Sequence, residues 1–349
     1  MRMPHRLAGA VLLACALTNA AAWAAEEGAS RQRPVKEVAD LRIPVGAGSA
    51  LPLYVSADWS HPLPNIARAV LILHGVRRDA DHYFRSALGA QSAAGRAGNA
   101  SIMIAPQFLT AEDVDAFGLS SDTLRWTFTG WEAGDPAIGP EPVSSFDALD
   151  AILKRLADRR LFPNLRQVVV AGHSGGAQVV QRYAIAAKGD LALTRQGIAV
   201  RYVVADPSSY AYFGVERPEP SIAASCSGYD SWKFGMADRP PYLADAPAAA
   251  LERAYVARRV IYLLGTLDID PEHPALDKSC MAEAEGANRY ARGHAYIAAM
   301  RARDNGTPNH SAWDVPGVAH QEDKMLTSPC GLQALFDVPG CESDSKPAR

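Results

Sequence analysis

The chain has 349 residues, of which 48% are apolar, and a formal net charge of −3. Nucleic acid is not an expected partner, because duplex binding depends on clustered Lys and Arg side chains, and this chain has 35 of them against 38 Asp and Glu residues. The length allows one large α/β domain or two smaller ones.

Residues 1–24 have the order of a secretory signal peptide. Arg2 and Arg6 give a positive start, residues 7–17 are almost entirely apolar, and Ala22-Trp23-Ala24 forms an A-x-A cleavage site. We expect cleavage after Ala24. A membrane-spanning helix takes roughly 20 apolar residues. This stretch is shorter and no second one is apolar enough, so we expect no stable membrane insertion.

Cys15 allows a second interpretation of the same segment. It follows Leu12-Leu13-Ala14, which could be a lipoprotein cleavage site that places a lipid on Cys15. Leu13 is unusual before the small residue, and a Cys in an apolar stretch is usually a small hydrophobic residue. We therefore expect an exported protein, periplasmic or secreted, rather than a lipid-anchored one.

The mature chain is expected to form one large domain. Residues 25–40 are polar and predict a flexible lead-in, 41–342 the domain, and 343–349 a disordered tail. Leu51–Ser56 and its neighbours predict early antiparallel strands. Later apolar runs rich in Val and Ile, each closely followed by Gly or Pro, predict buried strands at 69–73, 101–105, 167–171, 202–205 and 259–264.

Helical patterns separate these runs. They cover 146–156, 175–187 and 290–301, and a last one begins at Leu332. The alternation predicts a mostly parallel central sheet flanked by helices, in which ligands bind at the carboxyl ends of the strands. Residues 207–250 interrupt it and predict an excursion or small cap after the strand that ends near Ala205. A packed surface excursion with no substrate role is the alternative.

Four cysteines remain after the signal peptide: Cys226, Cys280, Cys330 and Cys341. An even number favours disulfide bonds in an oxidising compartment, with three possible pairings. Closeness along the chain favours Cys330–Cys341, which leaves Cys226–Cys280. None lies in a C-x-x-C pair or beside a His at zinc spacing, so no metal site is expected.

Gly172-His173-Ser174-Gly175-Gly176 has the form G-x-S-x-G between a Val-rich strand and a helical pattern. This context is typical of the nucleophile elbow, a sharp turn that exposes a serine hydroxyl above a sheet. Glycines at the flanks fit such a turn, because a Cβ there would clash. Ser174 is therefore the expected nucleophile.

A serine nucleophile needs a base, which in this arrangement comes late in the chain, after an acid. His320 follows an apolar stretch and a Pro-Gly turn, and is the expected base. His310 and His294 are the rivals; the first lies in a polar stretch and the second within a helical pattern.

The acid is expected after the strand that follows the excursion. Asp268 ends Gly265-Thr266-Leu267-Asp268 and is the first choice, with Asp270 as the alternative acid. Asp206, one strand earlier, is a weaker alternative, since a carboxylate beside Pro207 can simply organise a turn. The acid would orient the imidazole without taking its proton.

Two backbone N–H groups are expected to form the oxyanion hole. One is that of Gly175, and the other that of Val76, with Arg77 as the alternative, in the loop after the strand at 69–73. His74 in the same loop is expected to be structural. Several aromatic residues could line the pocket or belong to the core: Phe108, Trp126, Trp131, Tyr210 and Trp232.

These motifs give the mature chain a resemblance to the α/β-hydrolases over nearly its whole length. The H-G turn at 74–75, G-H-S-G-G at 172–176, G-T-L-D at 265–268 and V-A-H at 318–320 appear in the family's order. The chain is particularly similar to a group of secreted bacterial and fungal hydrolase-like proteins. That likeness rests on three features: the arginines after H-G (Arg77, Arg78), a Y-x-x-W segment (Tyr229, Trp232) and an E-G-x-N-R-x-x-R-G segment at 285–293.

The resemblance implies serine hydrolase chemistry and does not choose a substrate. Hydrolysis of a carboxylic ester through an acyl-serine intermediate is the expected reaction, on a small-molecule or polymeric ester and without a cofactor. A peptidase, lipase or polyester depolymerase would use the same triad, because function depends on the pocket rather than on the fold. Two interpretations come from other functional classes. One is a non-catalytic binding protein that keeps the fold, and the other is an exported acyltransferase.

Overall fold

The computed structural model describes residues 33–303 and 309–342. The predicted signal peptide, the Cys15 lipid site, the first part of the lead-in and the tail at 343–349 lie outside these residues. The strands are β1 Leu41–Val45, β2 Ser49–Val55, β3 Arg68–Leu73, β4 Ser101–Pro106, β5 Leu109–Thr110, β6 Arg125–Trp126, β7 Gln167–His173, β8 Ala199–Ala205, β9 Arg259–Gly265 and β10 His310–Val315.

Helices connect most of these strands. Those that flank the main sheet are α1 Ala80–Ala93, α4 Ser145–Leu156, α5 Gly175–Ala186, α6 Asp190–Arg195, α9 Ala248–Ala257, α11 Arg289–Arg301, α12 Glu322–Thr327 and α13 Pro329–Phe336. Shorter helices lie in the connections: α2 Ala111–Ala116, α3 Gly130–Ala133, α7 Pro220–Ser225, α8 Pro241–Ala244 and α10 Cys280–Glu283. A 3-10 turn covers Gly95–Ala97.

The main sheet has eight strands in the order β1-β2-β4-β3-β7-β8-β9-β10. β1 pairs antiparallel with β2 and β2 with β4, whereas the strands from β4 to β10 in this order are parallel neighbours. A separate two-stranded pair joins β5 to β6. The prediction of a mostly parallel central sheet after early antiparallel strands is confirmed.

Alternate residues of the parallel strands face two apolar layers. In β3, Leu71 and Leu73 face the layer that contains α4, α5, α9 and α11, while Val70 and Ile72 face the layer that contains α1, α12 and α13. Helix α4 begins at a capping box in which Ser144 accepts the Phe146 N–H, so its apolar side is directed at the sheet from the first turn. Strands buried on both faces need such continuous apolar runs.

The excursion at 207–250 contacts α3 and α5. The Trp232 Nε1–H donates to the Ala133 carbonyl at 2.6 Å, and Gln181 bonds to both backbone groups of Ala211. The structure pairs Cys226 with Cys280 and Cys330 with Cys341. The first disulfide joins the excursion to α10, which directly precedes the 285–293 segment.

Within the described ranges 33–303 and 309–342, no helix is both long and apolar enough to cross a membrane.

Candidate active site

Ser174 occupies a sharp turn between β7 and α5. Its backbone has φ 59° and ψ −123°, a conformation that L-residues avoid unless the surroundings impose it. The turn depends on close backbone approach. A Cβ at Gly176 would lie 2.1 Å from the Leu73 carbonyl oxygen, and a Cβ at Gly172 2.4 Å from Gly176. The glycine positions of G-x-S-x-G are therefore required sterically, and the turn places Ser174 at the N-terminus of α5.

Ser174, His320 and Asp268 form a continuous hydrogen-bonded chain. The Ser174 Oγ lies 2.9 Å from His320 Nε2, and His320 Nδ1 lies 2.7 Å from Asp268 Oδ2. A carboxylate at Nδ1 selects the tautomer in which Nδ1 carries the proton, so Nε2 can accept from the serine hydroxyl. Ser174 is 5% exposed and Asp268 2%, which limits competition from water.

The sheet register explains why these groups meet. His173 is paired with Ala205, Ala205 with Leu263, and Gly265 with Val315 across adjacent parallel strands. The loops after β7, β9 and β10 therefore leave the sheet at one edge. The Leu267 N–H donates to the Val318 carbonyl at 2.9 Å, which links the loop that carries the acid to the loop that carries the histidine.

Arg289, at the start of α11, contacts the acid from the side opposite the imidazole. Its Nη1 lies 3.3 Å from Asp268 Oδ1, and its Nε donates to the Ser208 hydroxyl at 3.2 Å. Arg289 is 0% exposed, so the contact with Asp268 is a fully buried ion pair. The backbone N–H of Tyr290 donates to the Asp268 carbonyl at 3.2 Å, which ties the same helix end to the acid loop.

The alternative acids have other hydrogen-bonding partners. Asp270 is exposed, and its Oδ1 accepts the backbone N–H of Glu272 at 2.9 Å. Asp206 is buried at the end of β8, where both carboxyl oxygens accept the Gly265 N–H at 3.0 and 3.2 Å. Burial, followed by the neighbouring Asp268 carboxylate, raises the pKa of Asp206 well above its ordinary value.

The rival histidines have partners away from Ser174. His294 is exposed on α11 and its Nε2 lies 2.9 Å from Asp314 Oδ1. His310 has its Nδ1 3.2 Å from the Tyr262 hydroxyl and its Nε2 3.0 Å from the Tyr255 carbonyl. Of the three histidines considered from the sequence, His320 is therefore the one in contact with Ser174.

Burial controls the electrostatics of His320. Its pKa is lowered well below the ordinary 6.5, first by burial, then by the positive charge of Arg289 and by the neighbouring His273. The neutral imidazole is thereby favoured at neutral pH, which is the form that can accept a proton. The His173 ring packs against it at a tilt of 34°, with ring centroids 4.5 Å apart, and is also held neutral by burial, which lowers its pKa.

Gly175 and the loop after β3 adjoin in space. A Cβ on Gly175 would lie 3.1 Å from the Val76 backbone nitrogen and 3.2 Å from Glu132 Oε1. Val76 also lines the cleft together with Ser174. Glu132 is 3% exposed and forms an ion pair with Lys233 of the excursion at 2.9 Å. The two expected oxyanion donors are thus neighbours, with a buried ion pair behind them.

His74 connects two loops through both ring nitrogens. Its Nε2 accepts the Phe108 N–H at 3.0 Å and its Nδ1 lies 2.9 Å from the Gly75 carbonyl. Burial lowers its pKa to about 4, so the ring is neutral. Because both nitrogens bond to backbone groups, His74 fixes the loop that carries Val76.

The cleft above Ser174 has a volume of about 180 Å³ and a polar wall. Residues outside the expected constellation that line it include His82, Tyr83, His273, Ala275 and Glu322. Of the aromatic residues weighed as pocket or core, Phe108, Trp126, Trp131 and Tyr210 are 0% exposed and belong to the core. Trp232 is half-buried and packs against that core.

The residues that line the cleft can be compared with the predicted cap. Residues 207–250 contribute none of the side chains that line the cleft, whereas His273 and Ala275 come from the loop after β9. A cap formed by 207–250 remains a prediction.

One group of side chains at the site has a donor set that could suit a metal ion. Ligand atoms of His173, Asp206 and His320 lie within 4.8 Å of one another. Both nitrogens of His320 are already bonded to Asp268 and Ser174, and both oxygens of Asp206 to the Gly265 N–H. A metal at this position would have to displace these bonds.

Sequence reasoning assigned no role to Arg289, and a signal for it was present. Arg289 and Arg292 lie three residues apart in the first turn of α11 and therefore share a face, which is buried. Two buried arginines on one face require acceptors, and Arg292 donates to the carbonyls of Ser208 and Gly286 at 2.6 and 2.7 Å. The pairing of Arg289 with an aspartate could have been expected from this pattern.

The similarity of this chain to known proteins is found in the fold and not in the searches by sequence. No protein-family model matches the chain, and a search of the curated proteins finds no match. Among solved structures, poly(aspartic acid) hydrolase-1 from Sphingomonas sp. KT-1 is similar with a TM-score of 0.60 and 20% identity, over 87% of this chain and 99% of that one. A poly(3-hydroxybutyrate) depolymerase from Bordetella parapertussis is similar with a TM-score of 0.59 and 19% identity, over 92% and 96%.

At these identities the similarity concerns the fold. Together with the eight-stranded, mostly parallel sheet and the elbow between β7 and α5, it shows that this chain has the α/β-hydrolase fold.

Proposed function

We propose that this protein is an exported serine hydrolase that cleaves a carboxylic ester through an acyl-Ser174 intermediate. The observation that carries the proposal is the hydrogen-bonded chain from Ser174 Oγ through His320 to Asp268, with distances of 2.9 and 2.7 Å. Such a chain supplies an unreactive hydroxyl with a base and supplies that base with an orienting acid.

In the first half of the reaction, His320 Nε2 takes the Ser174 proton as Oγ attacks the ester carbonyl carbon. The tetrahedral intermediate collapses, His320 returns the proton to the leaving alcohol, and the acyl group stays on Ser174. In the second half, His320 takes a proton from water as the water oxygen attacks the acyl carbon. The second tetrahedral intermediate then collapses: the bond between the carbon and Ser174 Oγ breaks, His320 returns the proton to Oγ, and the acid is released. Asp268 holds Nδ1–H and stabilises the imidazolium in both halves without taking the proton.

The negative charge on the carbonyl oxygen needs donors that are in place before it forms. The backbone N–H groups of Gly175 and Val76 are proposed for this role, supported by the 3.1 Å separation between a Gly175 Cβ position and Val76 N. Gly175 N lies at the N-terminus of α5, where the helix dipole also favours negative charge. Removal of one such donor typically costs about a hundredfold in kcat.

Export is supported by the pattern at 1–24 and by the two disulfides, because disulfides persist in oxidising compartments. The two structural neighbours are named for the hydrolysis of polymers, poly(aspartic acid) and poly(3-hydroxybutyrate). A polymeric ester is therefore a candidate substrate beside a small one. A peptidase or lipase would use the same three side chains.

The proposal is tested by labelling the purified mature protein with a fluorophosphonate, beside a Ser174→Ala variant, with the modified residue identified by mass spectrometry. We expect one adduct, on Ser174, that the variant lacks, and turnover of p-nitrophenyl esters that the variant also lacks. A Lys154→Gln variant, which alters an exposed helix residue away from the cleft, is the matched control and should label normally. A folded, oxidised protein without an adduct on Ser174 would contradict the proposal and favour a non-catalytic binding protein.

A further inference from the structure

A second, larger cavity lies next to the cleft above Ser174. The two share Arg77, Asp79 and His82 in their walls. The second cavity has a volume of about 580 Å³, against about 180 Å³ for the cleft that contains Ser174. A substrate that occupies only the space around the serine would leave this adjoining volume unused.

Positive side chains dominate the wall of the second cavity. Its basic members are Arg33, Lys36, Arg77 and Arg85, and its acidic members are Asp79 and Asp81. Arg85 Nη2 donates to Asp81 at 2.6 Å, so that carboxylate is already paired. Burial raises the pKa of Asp79. Arg85 also lies 3.9 Å from the Glu37 carboxylate, so its charge is balanced. The other charged members are Arg33, Lys36 and Arg77 against Asp79, so the wall is locally positive although the chain as a whole has a formal charge of −3.

The segment that carries Arg33 and Lys36 is held in place by buried polar bonds. Arg78 Nη2 donates to the Arg33 carbonyl at 2.9 Å, and the Val35 N–H donates to Asp113 Oδ1 at 2.8 Å. Arg78 Nε in turn donates to Asp113 Oδ2 at 2.7 Å, and the two side chains are 1% and 0% exposed. A buried, doubly hydrogen-bonded pair of this kind gives a fixed geometry.

Gln107 extends this support on both sides. Its Oε1 accepts the Ala39 N–H at 3.0 Å, and its Nε2 donates to the carbonyls of Glu37 and Arg78 at 2.9 and 3.0 Å. The same buried side chains therefore hold residues 33–39 and the loop that carries Val76. The positive wall and the expected oxyanion loop form one fixed unit.

We propose that the second cavity is a subsite for a carboxylate-bearing part of the substrate, remote from the scissile bond and bound by Arg33 and Lys36. The inference rests on the proposed function, since it assigns the substrate class of the same cleft. Both side chains lie in an exposed part of a fixed wall, where they can reach a carboxylate without losing buried partners. Each hydrolysis of an oligoester leaves a chain that ends in a carboxylate, so an oligoester chain fits this charge.

The test compares matched esters of linear acids. Mono-p-nitrophenyl esters of diacids with four to ten carbons are compared with p-nitrophenyl esters of monoacids of equal length, and the pair is repeated with the carboxylate on the alcohol portion. In one of the two series we expect kcat/KM for the carboxylated ester to exceed that of its neutral partner by about tenfold, mainly through KM, as one charge-assisted contact would give. The ratio should fall as salt is added, because exposed charges are screened.

An Arg33→Gln/Lys36→Gln double variant should bring the ratio of carboxylated to neutral ester close to one. A Lys154→Gln/Arg253→Gln variant removes the same charge from exposed residues elsewhere and should keep the wild-type ratio. A ratio near one in the wild type for both series, or an equal ratio in the two double variants, would overturn the subsite. These outcomes are distinct from failure of the proposed function, in which Ser174 is not labelled and neither member of a pair is hydrolysed.

Discussion

Two adjacent strands, β8 and β9, each end in an aspartate at the site, and the surroundings of the two carboxylates differ. Asp206 is 0% exposed, and its oxygens accept the Gly265 N–H. Asp268 is 2% exposed and lies between His320 at 2.7 Å and Arg289 at 3.3 Å. Both carboxylates follow the end of a strand, but their hydrogen-bonding and ionic partners differ.

We infer from this comparison that the cationic partner, rather than the position in the fold, favours Asp268 over Asp206 as the proposed acid. A buried carboxylate without a paired cation is stabilised by taking up a proton, and burial together with the Asp268 charge raises the pKa of Asp206. Arg289 gives Asp268 a buried counter-charge. A neutral Asp206 could not orient an imidazolium, whereas Asp268 is placed to do so.

The largest expected effect comes from Asp268→Asn. The amide keeps the size of the side chain but leaves Nδ1 without its carboxylate acceptor, so the wrong tautomer of His320 is favoured. We expect kcat to fall by about four orders of magnitude, the size of the effect in well-studied Ser-His-Asp enzymes, while the fluorophosphonate reacts far more slowly. Steady-state kinetics on a p-nitrophenyl ester give the measurement.

Asp270→Asn is the matched control for this variant, because Asp270 lies two residues further along the same loop and is exposed. It should retain kcat within about twofold. The reason is that surface substitutions away from a site usually change stability very little, and the Asp270 side chain accepts only the Glu272 N–H among the bonds described above. If the two variants lose equal activity, the assignment of the acid to Asp268 is wrong.

The next effect in size concerns Arg289→Met, which removes the counter-charge. Breaking a buried ion pair on one side typically costs about 3–5 kcal/mol in the free energy of unfolding. We expect a lower Tm and a loss of about ten- to a hundredfold in kcat, less than for Asp268→Asn because the carboxylate itself remains. Thermal unfolding and kinetics on the same preparation separate the two effects.

The pH profile distinguishes a positioning role of Arg289 from a purely structural one. The positive charge of Arg289 lowers the pKa of His320, so its removal should raise that pKa and move the acid limb of kcat/KM to higher pH. Arg289→Lys keeps the charge and should keep the limb in place, even if the bond to Ser208 is lost. A limb that stays at the wild-type pH in Arg289→Met would mean that Arg289 acts through folding alone.

Much of the fold could be predicted from sequence, because it depends on local patterns. The apolar runs predicted β3, β4, β7, β8 and β9 to within about three residues, since strands buried on both faces require continuous apolar residues. The elbow was predictable because its steric demand falls on glycines adjacent to Ser174. Helix α11 was expected one residue later than Arg289, the residue that contacts Asp268.

The remaining parts of the site depend on contacts between distant residues, which no local pattern encodes. Asp268 and Asp270 lie two positions apart on one loop, and the sequence does not exclude either as the acid. In the structure, Asp268 is the one of the two that contacts His320. Aromatic residues have the same sequence pattern in a core and in a pocket, so Trp126 and Trp131 could be placed only by their burial. The cleft is lined instead by polar side chains such as His273, which lies far from Ser174 along the chain.

A smaller effect is expected in the wild-type protein itself as the pH falls. Because the pKa of His320 lies well below the ordinary 6.5, the base stays neutral in mildly acidic solution. We expect kcat/KM to stay constant as the pH is lowered from about 8 to the ordinary 6.5, and to fall only below it. The measurement is a pH profile of kcat/KM, restricted to the pH range in which thermal unfolding shows that the protein is folded. An acid limb at or above pH 6.5 would contradict the effect of burial on the His320 pKa.

The smallest expected effect comes from Asp206→Asn, and it tests the other half of the comparison. If Asp206 is neutral in the folded protein, an amide replaces a protonated acid of equal size, its oxygen still accepts the Gly265 N–H, and kcat changes by less than about threefold. The acid limb of the pH profile should also stay in place. An ionised Asp206 would behave differently, because its ligand atoms lie within 4.8 Å of those of His320 and its negative charge would raise the histidine pKa. Loss of that charge in the variant would move the limb to lower pH. A shift in this direction would therefore show that both carboxylates are charged and that Arg289 serves the pair rather than Asp268 alone.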